Sequence, residues 1–97
     1  MTWWVYLIRC GDKSLYTGIS TDPERRLRQH LGELKGGARS LRGRKPLELV
    51  YREMAGDRSD ASRRERVIKS MSHRAKEALV ASRNPTAIEG APVSNGS

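Results

Sequence analysis

The segment from residue 3 to residue 30 constrains the fold more than any other part of the sequence. Residues 3–8 and 15–19 are short apolar runs that flank a turn-like Gly-Asp-Lys at residues 11–13, and this pattern predicts a β-hairpin. An Asp-Pro-Glu sequence follows at residues 22–24. It predicts the start of a helix, with the Asp as N-cap, the Pro as the first helical residue and the Glu as an acid in the first turn. The segment therefore predicts two paired strands and a helix.

The predicted hairpin and helix carry polar side chains that ordinary packing does not require. Around the turn, antiparallel partners have residue numbers that sum to roughly 22 to 25, so Tyr6 and Tyr16 are predicted neighbours. Tyr16 shares its face with Gly18, and a glycine inside a strand often marks the close approach of a ligand or of another backbone. Arg26 and His30 form an i, i+4 pair on the helix. The pattern predicts a site with two phenols, a guanidinium and an imidazole.

A third strand is predicted after the first helix, which we expect to end at Gly32. Residues 47–54 alternate between apolar and polar side chains, with Leu47, Leu49 and Tyr51 on one predicted face. This strand would extend the hairpin into a sheet.

Helical patterns follow the third strand. One helix, with Ser59 or a neighbour as its N-cap, is predicted to extend through about residue 70. Ser72 is placed to cap a further helix, although one kinked helix also fits the pattern. Residues 84–97 are rich in Pro, Gly, Ser and Asn, so we expect a flexible tail after a domain of residues 1–83.

The charge of the chain restricts its partners. The net charge is +8 with a pI of about 10.4, and residues 23–45 contribute eight Lys or Arg against two acids, or +6. A concentration of this kind favours binding to a phosphate backbone over the alternative of a solvated loop. The predicted nucleic-acid contacts are Arg25, Lys35, Arg39, Arg42, Arg44 and Lys45.

Composition also excludes several classes of site. A single cysteine, Cys10, excludes an internal disulfide and a Cys-based zinc site. With only two histidines, carboxylates and water are the remaining candidate metal ligands. No signal-peptide pattern and no membrane-length apolar run is present, so we expect a cytoplasmic protein.

Glu65 is the carboxylate that stands out. It is spaced i, i+4, i+7 with Ala61 and Ile68, so it shares the face of its helix that should pack against the sheet. A buried acid is costly unless it is paired. From the residues alone, Glu65 is either an ion-pair partner of an arginine (Arg64, Arg66 or Arg26) or a ligand of a hard metal ion.

These residues resemble the signature of the GIY-YIG nuclease family. Tyr6 in WVY and Tyr16 in YTG resemble its two halves. Arg26 and His30 match the R-x-x-x-H of the following helix, and Glu65 lies where the metal-binding glutamate of the family falls. The resemblance covers about residues 3 to 82 and is strongest to the small stand-alone bacterial (YhbQ-like) members.

The sequence departs from that signature at flanking positions. Trp4 replaces the first glycine of GIY, Val5 replaces its isoleucine, and Thr17 replaces the isoleucine of YIG. Gly18 is retained. Substitutions at such flanking positions change packing more than chemistry.

The resemblance implies both a fold and a function. The implied fold is α+β, a three-stranded antiparallel sheet flanked by helices in the order β-β-α-β-α-α. The implied function is that of a metal-dependent endonuclease that hydrolyses DNA phosphodiester bonds in DNA repair or processing. One Mg²⁺ or Mn²⁺ ion would be held by Glu65.

The resemblance also implies roles for the other site residues. Arg26 would grip a non-bridging phosphate oxygen, and Tyr16 would hydrogen-bond the attacking water or the phosphate. Tyr6, with a pKa lowered by the metal ion and Arg26, and His30 are alternative general bases. Lys69 is similar to a lysine that follows the glutamate in small relatives and would contact DNA or act structurally.

Two other functions compete with this hypothesis. The same fold could serve as a nucleic-acid-binding module with weak or absent catalysis. An RNA-associated factor is a third interpretation, although the chain lacks the aromatic residues, interleaved with basic ones, that readers of single-stranded RNA use for stacking. RNA is not excluded as a substrate, no membrane partner is expected, and a monomer is assumed.

Overall fold

A computed structural model of the chain describes residues 1–36, 41 and 44–83. Its elements are β1 (Trp3–Arg9), β2 (Leu15–Ser20), α1 (Pro23–His30), β3 (Glu48–Gly56), α2 (Arg58–Lys69) and α3 (His73–Arg83). The strands form one antiparallel sheet in the order β2-β1-β3. This confirms the α+β fold and the predicted element order. The predicted tail, residues 84–97, lies outside the described residues.

The hairpin register agrees with the pairing arithmetic. Tyr6 pairs with Gly18, and Ile8 pairs with Tyr16. Because directly paired residues place their side chains on the same face of the sheet, Tyr6 and Tyr16 are diagonal neighbours on one face. The register therefore brings the two phenols together.

The central strand β1 separates two hydrophobic cores, since its successive side chains project to opposite faces of the sheet. The α2-side core comprises Val5, Leu7, Leu15, Val50, Tyr51, Ala61, Ile68 and Val80. The α1-side core comprises Tyr6, Ile8, Cys10, Leu41 and Leu47, with Leu27 and Leu31 of α1 packed against it. Helices thus cover both faces of the sheet.

The start and end of α1 follow the local sequence. The Asp22 side chain accepts a hydrogen bond from the backbone N–H of Arg25 at 3.1 Å, and Pro23 is the first helical residue. After the helix, Gly32 has a left-handed φ of +87°, a backbone conformation that glycine adopts without steric cost. Both predicted boundaries of the helix are confirmed.

Two separate helices follow β3. The N-cap of α2 is Asp57, a neighbour of Ser59, and Asp57 forms a capping box with Asp60. For α3, the Ser72 hydroxyl accepts a hydrogen bond from the backbone N–H of Ala75 at 3.1 Å. The Ser72 cap therefore begins a new helix and does not lie within a kinked one. Within the described residues, no helix has the length and apolarity required to cross a bilayer.

The predicted alternation of β3 is wrong from Tyr51 onward. Leu7 pairs with Tyr51, whereas Ile8 pairs with Leu49, so the register shifts between these two pairs. The extra residue, Val50, reverses the alternation, as a β-bulge does. Leu49 consequently packs against the α1-side core, and Tyr51 belongs to the α2-side core.

Candidate active site

Tyr6 lies over Gly18 on the α1 side of the sheet. A Cβ atom added at Gly18 would lie 2.5 Å from Cζ of Tyr6 and closer still to the hydroxyl oxygen. The close approach predicted at this glycine is thus made by a side chain of the neighbouring strand. Only 1% of Tyr6 is exposed, so other residues enclose the ring on all sides.

His30 joins the two tyrosines. Its Nε2 atom lies 3.2 Å from the Tyr6 hydroxyl oxygen in a buried hydrogen bond. Its ring meets the Tyr16 ring edge to face, with centroids 5.3 Å apart. His30 is the last residue of α1 and is 7% exposed. The helix end therefore places the imidazole against both phenols.

Arg26 lies one helical turn before His30. Its Nη1 atom donates to the Gln29 side-chain oxygen at 2.7 Å and to the Gly36 carbonyl oxygen. Gln29 was missed as a positioning residue, although its i, i+3 spacing from Arg26 is the available sequence signal. The described site therefore holds the guanidinium in place through a side chain and a backbone carbonyl.

Burial dominates the protonation of the Tyr6–His30 pair. Desolvation, followed by the charge of Tyr16, raises the pKa of Tyr6 to about 12, although Arg26 acts in the opposite direction. Desolvation, followed by the charge of Arg26, lowers the pKa of His30 to about 4. In the protein without bound metal or substrate, burial therefore outweighs the predicted lowering of the Tyr6 pKa by Arg26. At neutral pH the pair consists of a phenol and a neutral imidazole.

Glu65 approaches this group from α2. Its side chain is 22% exposed, and its Oε2 atom lies 3.4 Å from Nζ of Lys69. The carboxylate also acts to raise the pKa of Tyr6, so it lies within electrostatic range of the phenol. Among the described residues, the ion-pair partner of Glu65 is therefore a lysine, whereas Arg64 binds Glu53.

The described residues offer no cluster of metal-ligating side chains larger than a pair. Among residues 1–36, 41 and 44–83, no group of three or more His, Cys, Asp or Glu could hold a metal ion. Mg²⁺ commonly keeps several waters and takes one or two carboxylates. A single, partly exposed carboxylate such as Glu65 fits a hydrated hard cation of this kind.

The predicted nucleic-acid contacts divide into two groups. Arg39 and Arg42 lie outside the described residues. The backbone carbonyl of Arg44 accepts a hydrogen bond from the N–H of Gly11 at 2.7 Å, which fixes the chain before β3 against the hairpin turn. The other predicted contact residues are described by the structure and are all exposed: Arg25, Lys35, Arg44, Lys45 and Lys69.

The family model of the GIY-YIG catalytic domain matches residues 2–78. This span contains both tyrosines, Arg26, His30 and Glu65. The chain belongs to the GIY-YIG family. GIY-YIG domains are nuclease domains, so a hydrolase acting on nucleic acid is the general class of this protein.

Several GIY-YIG relatives are similar over most of their length. The UPF0213 protein of Cronobacter sakazakii is 52% identical over 79 residues, which cover 81% of either chain. UPF0213 protein YhbQ of Escherichia coli K12 is 51% identical over 81% of this chain and 77% of that protein.

Solved structures show the same fold. The solution NMR structure of UPF0213 protein BH0048 from Bacillus halodurans has a TM-score of 0.57 and 34% identity. It covers 99% of this chain and 100% of its own. That of EF2693 from E. faecalis has a TM-score of 0.58 and 29% identity, covering 84% of this chain and 85% of its own.

Proposed function

We propose that this GIY-YIG protein is a divalent-metal-dependent endonuclease that cuts DNA phosphodiester bonds in DNA repair or processing. The observation that supports this function best is the contact of His30 with both Tyr6 and Tyr16. Arg26 lowers the pKa of both Tyr6 and His30, and Glu65 raises that of Tyr6. Groups from β1, β2, α1 and α2 thus act on one another electrostatically.

In the proposed reaction, Arg26 binds a non-bridging oxygen of the scissile phosphate with its planar fork of N–H donors. This stabilises the negative charge that develops on the phosphoryl group. Gln29 and the Gly36 carbonyl hold the guanidinium while the phosphate arrives. Tyr16 supplies a hydroxyl for the attacking water or the phosphate.

The Tyr6–His30 pair would handle the proton of the attacking water. A bound phosphodiester brings negative charge next to His30, and negative charge raises the pKa of an imidazole. Substrate therefore shifts His30 toward accepting a proton, either from water directly or through the Tyr6 hydroxyl at 3.2 Å. Tyr6 and His30 remain alternative general bases in this proposal.

Glu65 would hold one Mg²⁺ or Mn²⁺ ion through a carboxylate oxygen. When bound, such an ion supplies Lewis-acid stabilisation of the phosphate and of the leaving oxygen. The flanking phosphates would be bound by the exposed cations Arg25, Lys35, Arg44, Lys45 and Lys69. We also propose a cytoplasmic monomer, with residues 84–97 as a tail outside the catalytic domain.

The test is cleavage of end-labelled single-stranded, nicked and branched DNA with and without Mg²⁺. Arg26→Ala is expected to reduce cleavage by about 100-fold to 1,000-fold, the usual cost of losing one preorganised charge donor. Glu65→Gln is expected to abolish the stimulation by Mg²⁺. Arg28→Ala is a matched control, because Arg28 lies on the same helix and pairs with Glu33 at the surface. Full activity of Glu65→Gln would refute the metal mechanism.

One observation favours the binding module as a second candidate. Tyr6 is almost fully buried and its pKa is raised to about 12, so the phenol is poorly prepared to ionise in the protein alone. If no DNA is cut and Arg26→Ala leaves salt-dependent DNA binding unchanged, the binding module is the better description. Loss of cleavage with retained binding in Arg26→Ala supports the nuclease.

A further inference from the structure

The ion pair between Glu65 and Lys69 lies at the proposed metal ligand. The Lys69 ammonium is 3.4 Å from Oε2 of Glu65, one helical turn away on α2. The two side chains differ in exposure, since 57% of Lys69 but only 22% of Glu65 is accessible. The cation therefore approaches a partly buried carboxylate from the solvent side.

A divalent ion held by Glu65 would meet the Lys69 ammonium at the same carboxylate. The two cations compete for the charge of this carboxylate, because both are attracted by the same Coulomb interaction and repel each other. An i, i+4 pair with Glu before Lys is weak on an exposed helix. The pair therefore balances the charge of the carboxylate, but its free energy is small enough for a divalent ion to displace the ammonium.

We propose that Lys69 is the resident counter-ion of Glu65 and that its ammonium is displaced when a divalent cation binds. The exchange rests on the proposed function, because it takes Glu65 as the metal ligand. It gives Lys69 two successive roles: balancing the Glu65 charge before the metal ion arrives, and binding a phosphate of the nucleic acid afterwards. The flexible four-carbon stem of lysine permits this change of partner.

Arg66 provides a matched control for long-range electrostatics. It carries the same charge on the same helix, is exposed and directly follows Glu65. Adjacent residues on a helix do not face each other, so Arg66 adds positive potential without occupying the carboxylate. Simple charge repulsion predicts similar effects for Lys69→Gln and Arg66→Gln, whereas displacement predicts a larger effect for Lys69→Gln.

The first measurement is the affinity of the full chain for Mn²⁺ alone, by electron paramagnetic resonance. Lys69→Gln is expected to bind Mn²⁺ about two-fold to five-fold more tightly, the range given by loss of one exposed ion pair. Arg66→Gln is expected to change the affinity by less than about 1.5-fold, because exposed charges are screened by salt. Equal effects of the two variants would overturn the displacement.

The second measurement follows both partners by NMR during a Mg²⁺ titration. The Lys69 ammonium signal, assigned by its loss in Lys69→Gln, is expected to shift with the same midpoint as the Glu65 carboxylate carbon. At saturating Mg²⁺, the chemical shift of the Lys69 ammonium should equal the shift measured in metal-free Glu65→Gln. A Glu65 response without a Lys69 response overturns the exchange and leaves the proposed function intact. If the Glu65 carboxylate signal does not shift by the point at which metal binding is saturated, both the exchange and the metal role of Glu65 in the proposed function are overturned.

Discussion

The substitution Gly18→Ala should displace the Tyr6 ring. The added methyl carbon would lie 2.5 Å from Cζ of Tyr6, whereas carbon atoms in contact prefer about 3.5 to 4.0 Å. The ring must therefore move by about 1 Å or the two strands must separate. Since Tyr6 is 1% exposed, the ring is enclosed and its hydrogen bond to His30 is expected to break.

The expected cost can be worked from these contacts. Overpacking a core costs about 1 to 3 kcal/mol, and loss of a buried hydrogen bond adds about 1 kcal/mol. Replacing glycine in a strand returns about 0.5 to 1 kcal/mol of backbone entropy. We therefore expect Gly18→Ala to lower the free energy of unfolding by about 1 to 3 kcal/mol and to lower the Tyr6 pKa, because a displaced phenol is less desolvated.

Urea denaturation measures the stability change, and phenolate absorbance during an alkaline titration measures the Tyr6 pKa. Gly32→Ala is the control, because its φ of +87° makes alanine strained while, among the described residues other than its chain neighbours, no atom lies within 4 Å of the added carbon. The control should lose about 1 to 2 kcal/mol without a change in the Tyr6 pKa. A Gly18→Ala protein with unchanged stability and unchanged Tyr6 pKa would refute the steric argument.

Three further predictions concern polar groups that are buried or partly buried. Thr17→Val should raise the free energy of unfolding by about 1 kcal/mol, since Oγ1 of Thr17 is buried without a hydrogen-bond partner among the described residues; a loss of stability in urea denaturation contradicts this. Glu53→Gln should lower the free energy of unfolding by about 2 kcal/mol, because Arg64 donates two hydrogen bonds to the Glu53 carboxylate, at 2.8 and 3.3 Å. If the loss is the same in an Arg64→Met background, the Arg64–Glu53 pair is not responsible for it. The pKa of His30 is about 4 in the folded protein, against an ordinary value of 6.5. As the pH falls, the unfolded state therefore binds a proton that the folded state does not, and between pH 7 and pH 5 the free energy of unfolding should fall by about 2 kcal/mol more than that of His30→Gln. Parallel pH profiles of stability for the two proteins would exclude this linkage.

The elements that could be predicted from the sequence are those fixed by neighbours along the chain. Asp22 and Pro23 determine the start of α1 by local chemistry, and Ser72 begins α3 in the same way. The hairpin register follows from the turn, so the pairing of Tyr6 with Gly18 falls within the predicted range. In each case the partners lie within about a dozen residues, so no information on tertiary packing is needed.

The remainder depends on contacts between distant segments. The bulge that separates Leu49 from Tyr51 arises where β3 pairs with β1, and the alternation of β3 alone does not reveal it. The direction of the Tyr6 pKa shift depends on burial by residues such as Leu41 and Leu47. The choice of Lys69 over three arginines as the partner of Glu65 likewise requires side-chain geometry.

The position of Tyr6 in the middle of β1 has a consequence for the divergence of such domains. The aromatic ring fills the α1-side core, whereas the proposed chemistry needs only the hydroxyl group. Tyr6→Phe would remove one oxygen atom and leave the core filled, so a domain in which the Tyr6 hydroxyl takes or relays the proton can lose its reaction in a single step while keeping its fold. A well-folded relative with phenylalanine here would be a natural experiment in separating architecture from catalysis.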